Sequence, residues 1–283
     1  MIAARPRRSA LYMPAANPRA IEKARDLACD VVILDLEDSV APDAKGEARD
    51  LAVAAVKAGG FGRREVVIRV NGLDTPWGAD DLRAAASVSP DAVLVPKVNG
   101  PADLAAYARE LADGARLWAM METCAAVFAL DAIAGFGGPL ETLVIGGNDL
   151  AKEMRCKLTV ERAPLQGILG LAVAAGRAHG LCLLDGVFNG IEDDAGLERQ
   201  CLQGLDFGFD GKTLIHPRQI EAANRAFTPD PESVDWSRTI VAAFDSPENA
   251  GKGVLKVEGR MVERLHLEEA RRLIAVAEAI AEA

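Results

Sequence analysis

The sequence predicts an α/β protein folded as a TIM (β/α)8 barrel with a C-terminal extension. The first observation is a rhythm, in which short β-rich runs alternate with Ala-, Leu-, Arg- and Glu-rich stretches of helical composition. Such alternation is typical of parallel strands joined by helices. The second is the number of units, about eight, which suits a barrel in a chain of 283 residues. An open doubly wound sheet is the alternative, but no GxGxxG motif follows the first predicted strand.

The predicted elements follow one another in a regular order. The strands are the runs SALYMP, DVVILDL, EVVIRV, DAVLVPKV, ARLWAMME, TLVIGGNDL, LCLLDGV and FDGKTLI. The helices between them are stretches such as PRAIEKARDLA, KGEARDLAVAAVKAG, PADLAAYARELADG, CAAVFALDAIAGF and PLQGILGLAVAAGRAHG. The rhythm stops after His216, and from about Thr228 a Pro-rich, acidic segment leads to a strand or hairpin element and a long closing helix. We therefore predict a barrel domain in residues 1–227 and an extension in residues 228–283.

Composition excludes several classes of function. The net charge of −10 and the pI of about 5.0 argue against nucleic acid as the main partner. Five Cys residues without a CxxC spacing predict neither a disulfide framework nor a zinc site, so reduced thiols in a cytoplasmic protein are the simplest interpretation. No uninterrupted apolar stretch is long enough to span a bilayer, so no membrane partner is expected. Neither a GxSxG nor an HExxH motif is present.

Charged or polar side chains follow nearly every predicted strand. They are Asp35, Glu37 and Asp38, Arg69 and Asn71, Lys97, Glu122, Asn148 and Asp149, Asp185, and Asp210, Lys212 and His216. The chemistry of a TIM barrel lies at the C-terminal ends of its strands, so we expect these residues to share one mouth. A solvated loop residue is the alternative for any one of them, but the repetition over successive strands favours a site.

The second predicted strand poses a problem of charge. In VVILDLEDSV, from Val31 to Val40, an apolar run leads directly into Asp35, Glu37 and Asp38. A buried strand that ends in clustered carboxylates needs a positive partner. The candidates at the same mouth are basic side chains such as Arg69 and Lys97, and a metal ion.

The carboxylates of Glu122 and Asp149 suggest a metal ion more directly. Each follows an apolar run, and the two runs are consecutive strands of the predicted barrel, whose neighbours lie about 5 Å apart. Two carboxylates so close repel each other unless a cation lies between them. Because the donors are oxygens, a hard ion fits best, Mg2+ or alternatively Mn2+. The competing interpretation is that each carboxylate caps the helix that follows.

Seven motifs in order resemble one known family. They are RRSALYMPAANPRAIEKA, DVVILDLEDSVAPDAKGEAR, VVIRVNGLDTPWGADDL, VLVPKV, METCAAV, IGGNDLA and FDGKTLIHPRQI. They are similar to those of the citrate lyase beta-subunit family, which includes malyl-CoA, citramalyl-CoA and citryl-CoA lyases and malyl-CoA thioesterases. The resemblance implies a TIM barrel, Mg2+, a CoA or acyl-carrier thioester substrate, an α-keto acid product and a homotrimer or homohexamer.

The resemblance also implies roles for residues at the mouth. Glu122 and Asp149 would be the Mg2+ ligands, and Arg69 would bind oxygens of the substrate. Glu37 and Asp38 would hold waters on the metal, and we count both among the candidate catalytic residues.

Further basic and polar residues are implied to bind the substrate. Arg7, Arg8 and Lys45 would lie near the CoA. Asn71 and Lys97, which end two neighbouring strands, complete the predicted substrate-binding set.

The tail departs from the family pattern at one position. Family members carry a G-M-I/V-D-x-P stretch, whose Asp is an acid/base that reaches the site of a neighbouring subunit. Here the stretch is GRMVERLHLEEA, so Glu263 stands in place of the Asp and Leu265 in place of the Pro. By resemblance, the extension contributes to the oligomer and Glu263 to a neighbour's catalytic site, although the longer side chain leaves room for a related activity.

The predicted activity is a reversible, Mg2+-dependent carbon–carbon lyase reaction. A β-hydroxyacyl-CoA would be split into an acyl-CoA and an α-keto acid, with Arg69 stabilising the enolate oxygen and Glu263 moving the α-carbon proton. Two alternatives remain: a (3S)-malyl-CoA-type thioesterase, which would release free CoA, and the beta subunit of a citrate lyase complex, which would act on an acyl-carrier thioester.

Overall fold

The computed structural model describes residues 5–111 and 114–282. In this part of the chain eight parallel strands close into a barrel in sequence order. They are β1 (Ser9–Pro14), β2 (Val31–Asp35), β3 (Glu65–Arg69), β4 (Ala92–Val95), β5 (Leu117–Met121), β6 (Leu140–Ile145), β7 (Cys182–Asp185) and β8 (Gly211–Leu214). The predicted TIM barrel is confirmed.

Helices connect the strands and follow the barrel. They are α1 (Pro18–Ala24), α2 (Lys45–Ala58), α3 (Gly78–Ala86), α4 (Pro101–Glu110), α5 (Cys124–Phe128), α6 (Leu130–Ala134), α7 (Gly147–Glu153), α8 (Gln166–Ala178), α9 (Asp194–Phe207), α10 (Ile220–Ala226), α11 (Pro231–Asp245) and α12 (Arg264–Ala281). Side chains of Asn17, Thr123 and Asp193 accept a backbone N–H at the start of α1, α5 and α9, the capping role these residue types favour. None of the described helices is both long and apolar enough to cross a membrane.

The barrel interior is filled with side chains. Alternate residues of each strand point inward, since successive side chains of a strand face opposite sides. The inward residues form a separate buried cluster of Ala10, Val31, Ile33, Val67, Ala92, Leu94, Trp118, Met120, Val144 and Leu184. The outward residues join the larger core beneath the helices. Because the interior is packed, inward side chains beyond this layer can gather only at the two ends of the barrel.

Arg7 closes the N-terminal end of the barrel. Its Nε and Nη2 donate to Glu65 at 2.7 and 2.8 Å, and its Nη1 donates to Thr142 at 3.2 Å. The guanidinium also lies 4.9 Å from the centre of the Trp118 ring, at cation–π distance. Arg7 and Glu65 are both buried, so the pair acts as a polar plug beneath the apolar interior.

The chain divides into two compact units at Phe227 and Thr228. Residues 7–227 form the barrel unit, and the second unit includes residues 228–282. In the second unit β9 (Val254–Val257) and β10 (Arg260–Glu263) form an antiparallel hairpin, and α11 packs on α12. Its small core consists of Ile240, Leu255, Val257, Val262, Leu267 and Ala270.

We predict that Arg7 is a structural residue. Arg7→Leu should lower the free energy of unfolding by about 3–5 kcal/mol, because it leaves the buried Glu65 carboxylate without its main partner. The double variant Arg7→Leu/Glu65→Leu should recover most of that loss, since the fully buried carboxylate is removed with its partner and Glu141, the other contact of Arg7, keeps Arg116. Urea unfolding of the two variants measures both effects. Equal stability of Arg7→Leu and wild type would contradict the assignment.

Candidate active site

A buried ion pair between Arg69 and Asp35 lies on the inward face at the C-terminal ends of β3 and β2. Arg69 Nε and Nη2 donate to the two Asp35 oxygens at 2.6 and 2.7 Å. Burial raises the pKa of Asp35, but the Arg69 charge and hydrogen bonds outweigh it and hold that pKa below its usual range. The Tyr12 ring, on β1, lies 4.7 Å from the guanidinium. Arg69 is therefore held in one orientation by two neighbours.

The third nitrogen of Arg69 faces the segment after β2. Nη1 lies 2.8 Å from Glu37 Oε2 and 3.8 Å from Asp38 Oδ2. Lys97 Nζ donates to the other Glu37 oxygen at 3.1 Å. Burial raises the pKa of Glu37 despite these two cations. These contacts answer the question of charge in part: Asp35 and Glu37 are paired with basic side chains, whereas Asp38 is largely exposed.

A cavity of about 310 Å3 opens beside Glu37. Lys45 and Asn71 line it together with Glu37, Asp38, Val40, Pro42, Gly72, Asp74, Thr75, Trp77 and Lys97. Lys45 Nζ donates to Asn71 Oδ1 at 2.8 Å and to two backbone carbonyls, and it lies 5.1 Å from the centre of the Trp77 ring. Its contacts make Lys45 part of the cavity wall.

Glu122 lies one residue beyond β5 on the inward face, and only 2% of it is exposed. Its Oε1 accepts the backbone N–H of Lys97 at 2.8 Å. Lys97 adopts a left-handed backbone with φ of 50°, which is uncommon outside glycine. Burial, then the nearby charges of Glu37 and Asp149, raises the pKa of Glu122 to about 7. The carboxylate thus lies where a negative charge is unfavourable without a further cation.

Asp149 lies in the first turn of α7, after the neighbouring strand β6. Among the described residues its carboxylate has no hydrogen-bond or ion-pair partner, and neither Asp149 nor Glu122 caps the helix that follows it. Gly146, the residue before α7, packs directly against Glu122: a Cβ there would come within 2.4 Å of Glu122 Oε2. The capping alternative is therefore not observed, and both carboxylates are available to a ligand.

The donor set fits a hard cation that keeps open coordination positions. The described residues contain no group of three or more His, Cys, Asp or Glu side chains that could hold a metal by themselves. Two carboxylates nevertheless suit Mg2+, which commonly takes one or two protein carboxylates and completes its shell with water and substrate oxygens. The Glu37 carboxylate adds acceptor oxygens at the mouth, but it is already engaged, since its Oε2 lies 2.8 Å from Arg69 Nη1 and its Oε1 accepts from Lys97.

Several residues predicted at the mouth lie elsewhere in the barrel unit. Asp185 and Lys212 point outward and pair with each other, and Lys212 contacts Gln200 of α9. Their assignment to the mouth was wrong, because the inward positions are taken by Leu184 in β7 and by Thr213 in β8, which pairs with the inward Ala10 of β1.

The residues predicted to bind CoA lie at two different ends of the barrel. Arg7 and Arg8 precede β1 at the opposite end of the barrel, where Arg7 pairs with Glu65 and Arg8 with Asp30. A role for either in CoA binding remains a prediction that this placement does not favour. Lys45 does lie at the mouth.

Glu263 belongs to the second unit, where it is the last residue of β10 and the N-cap of α12. Its side chain accepts a backbone N–H of the first turn, and the His266 ring accepts the Glu263 N–H at 2.9 Å, a reciprocal cap. Its predicted role in a neighbouring subunit remains a prediction.

Sequence reasoning missed three residues that shape the mouth. Tyr12 packs on Arg69, Trp77 lines the cavity, and Gly146 makes room for Glu122. A signal was present for Gly146, because a glycine next to a strand end often marks a close approach.

Comparison with known proteins identifies the family. Residues 8–217 match the model described as HpcH/HpaI aldolase/citrate lyase. A (3S)-malyl-CoA thioesterase of Cereibacter sphaeroides is 48% identical over 278 residues, 98% of this chain and 97% of the relative. An L-malyl-CoA/beta-methylmalyl-CoA lyase of the same species is 33% identical over 306 residues, 98% of this chain and 96% of the relative.

A solved structure agrees over the whole length. CitE from Mycobacterium tuberculosis, in complex with magnesium, acetoacetate and coenzyme A, is 28% identical with a TM-score of 0.79 and covers 98% of this chain and 100% of that chain. The resemblance seen in the sequence motifs is confirmed. The family model matches most of the barrel, and the relatives align with nearly the whole chain. The chain therefore belongs to the HpcH/HpaI aldolase/citrate lyase family and is an enzyme of that family.

Proposed function

We propose that the protein is a thioesterase that hydrolyses a malyl-CoA-type thioester to the free hydroxy acid and CoA. The observation that carries the proposal is the 48% identity to a (3S)-malyl-CoA thioesterase over nearly the whole chain, against 33% to a malyl-CoA lyase. It reverses the order of preference drawn from the sequence, where the lyase was the main prediction and the thioesterase the alternative.

Glu122 and Asp149 would hold a magnesium ion at the mouth. Support comes from the two available carboxylates on neighbouring strand ends and from the magnesium in the solved structure of CitE. When bound, the ion supplies Lewis acidity to substrate oxygens and offsets the negative charge of the mouth.

Arg69 is the candidate for stabilising the charge that develops on the thioester oxygen. Asp35 holds two of its nitrogens and Tyr12 packs on its face, so the guanidinium is already oriented before substrate arrives. Its Nη1 points toward the segment that lines the cavity. A fixed donor in a buried site needs no reorganisation during the reaction, which is where electrostatic catalysis has its largest effect.

Glu37 is the candidate for activating water. Its carboxylate lies on the cavity wall between Arg69 and Lys97, and burial raises its pKa, which makes it a stronger base. Glu37 would take a proton as the water oxygen bonds to the thioester carbon. The carbon–sulfur bond then breaks, and the departing CoA sulfur receives a proton to leave as the thiol.

Lyase activity is the second candidate. It is favoured by the 33% identical lyase relative and by the acetoacetate and coenzyme A in the solved structure of CitE. The same Arg69 would then stabilise an enolate oxygen in place of a thioester oxygen.

The products of malyl-CoA distinguish the two activities. Incubation of the protein with (3S)-malyl-CoA and Mg2+ in H2(18)O should release CoA and malate with one labelled carboxylate oxygen, because hydrolysis places a water oxygen on the thioester carbon. Mass spectrometry identifies the products. Acetyl-CoA and glyoxylate as the main products would overturn the thioesterase proposal in favour of the lyase, and no reaction without an added acyl carrier would favour the citrate lyase subunit.

Removal of either proposed ligand should abolish the dependence on metal. Glu122→Gln and Asp149→Asn keep the size of each side chain but remove its charge, so Mg2+ should no longer stimulate turnover, and activity should fall by at least about 100-fold. Asp74→Asn, in a cavity residue outside the proposed pair, is the control. Full activity of the wild type after exhaustive chelation would remove the metal from this proposal.

The pH dependence of metal binding gives a second check of the same pair. Glu122, with a pKa of about 7, must lose its proton before it can bind a cation. Mg2+ affinity should therefore be constant above pH 7 and fall by about tenfold per pH unit below it. Calorimetric titration of the wild type across this range measures the slope. A Mg2+ affinity that does not change between pH 5 and pH 7 would contradict the role of Glu122 as a ligand.

Arg69→Lys should lower kcat/KM by at least about tenfold, or about 1.4 kcal/mol of transition-state stabilisation. Lysine keeps the charge but lacks the planar fork that holds both Asp35 oxygens. Steady-state kinetics with saturating Mg2+ gives the value. An unchanged kcat/KM, in a variant of normal stability, would mean that Arg69 serves only to pair Asp35.

A further inference from the structure

A buried charged cluster lies on the outside of the barrel wall, beneath α9. Asp185, the last residue of β7, is held between Lys212 of β8 and Arg162. Lys212 Nζ lies 2.8 Å from Asp185 Oδ2 and donates to Gln200 Oε1, also at 2.8 Å. Asp185 and Lys212 are fully buried, and Arg162 is 4% exposed. Buried ion pairs are weak evidence for stability, since apolar residues of similar volume often serve as well.

The cluster makes hydrogen bonds to both the backbone N–H and the backbone carbonyl of Gly186. Asp185 Oδ1 accepts the Gly186 N–H at 2.8 Å, and Lys212 Nζ donates to the Gly186 carbonyl. Hydrogen bonds to charged groups are stronger than those between neutral groups. The backbone that leaves β7 is therefore fixed in place by a carboxylate on one side and an ammonium on the other.

Gly186 in turn packs against the backbone that leads to Asp149. A Cβ at Gly186 would lie 2.8 Å from the Ile145 carbonyl oxygen and 3.4 Å from the Gly147 nitrogen, so the two segments are in direct backbone contact. Gly147 is the first residue of α7, and Asp149 lies in the same turn.

A second contact ties the same two segments together further out. The side-chain amides of Asn148 and Asn189 exchange hydrogen bonds in both directions, at 3.2 and 2.8 Å. The segment after β7 thus supports the segment after β6 at two points, one buried and one exposed.

We propose that Lys212, acting with Asp185 through Gly186, is a positioning residue for the Asp149 carboxylate and so for the cation site. The Lys212 side chain points outward from β8, toward Gln200 of α9, so it would act on the site only through Gly186. The inference rests on the proposed role of Asp149 as a metal ligand but not on the choice between hydrolysis and carbon–carbon cleavage.

The test is the affinity of the metal-free protein for Mn2+, measured by electron paramagnetic resonance of the free ion. Lys212→Met keeps much of the side-chain volume but removes the donor to Gly186, and it should raise the Kd for Mn2+ by about tenfold, as loss of groups that orient metal ligands commonly does. Arg162→Met is the matched control. It removes the other buried cation from Asp185 but has no bond to Gly186, so its Kd should stay near that of the wild type. Urea unfolding of both variants shows whether they are equally destabilised.

Three outcomes would overturn the inference. The first is unchanged Mn2+ affinity in Lys212→Met, and the second is an equal loss in both variants at equal loss of stability. The third is unchanged affinity in Asp149→Asn, which would remove the metal site itself. Should Lys212→Met fail to fold, Gly186→Ala replaces it, because the added methyl forces the two segments apart. A weaker Mn2+ affinity in that variant supports the inference, and an unchanged one refutes it.

Discussion

The buried pair of Arg69 and Asp35 is the interaction on which the mouth of the barrel depends. It occupies the top of a packed apolar interior, where an unpaired charge is strongly unfavourable. Asp35 alone satisfies two of the three guanidinium nitrogens, so Arg69 has only Nη1 left for Glu37 and Asp38. Asp35 therefore offsets much of the positive charge of Arg69, and the other carboxylates of the mouth share only Nη1.

The mouth therefore contains more carboxylates than the basic side chains there can pair. Glu37 still has Lys97 as a partner, but Glu122 accepts only a backbone N–H and Asp149 has no partner among the described residues. The pKa of Glu122 is raised by burial and by the neighbouring carboxylates, which no nearby cation fully offsets. A divalent cation is the simplest way to balance this charge, and it is this imbalance, more than any single ligand, that connects the fold with the proposed chemistry.

The sequence predicted the barrel and the composition of its mouth but not the direction of every side chain. In DVVILDL and ARLWAMME the apolar runs end in residues that do point inward, Asp35 and Glu122. Asp185 ends a similar run and Lys212 is the second residue of β8, yet both point outward. Both faces of a parallel barrel strand are buried, so its sequence lacks the alternation that would show which residues face in.

Contacts between distant parts of the chain were equally hidden. Arg7 pairs with Glu65 across 58 positions of sequence, a contact that no local pattern indicates. The family resemblance placed Arg7 near the CoA, whereas the structure places it in an ion pair at the opposite end of the barrel. Lys97 has a left-handed backbone and donates its N–H to Glu122. Such a conformation is usually indicated in a sequence by glycine, so a lysine at this position gave no signal of it. The balance between hydrolysis and carbon–carbon cleavage could not be predicted either, because in the proposed mechanisms both reactions would use the same carboxylates and the same arginine.

The most direct test of the cation site is anomalous diffraction from crystals of the protein grown with Mn2+ in place of Mg2+. The charge imbalance predicts one strong anomalous peak at the barrel mouth, within bonding distance of an oxygen from both Glu122 and Asp149 and on the same side as Arg69. A mouth without a peak at saturating Mn2+, or a peak bound elsewhere with the two carboxylates turned apart, would contradict the account.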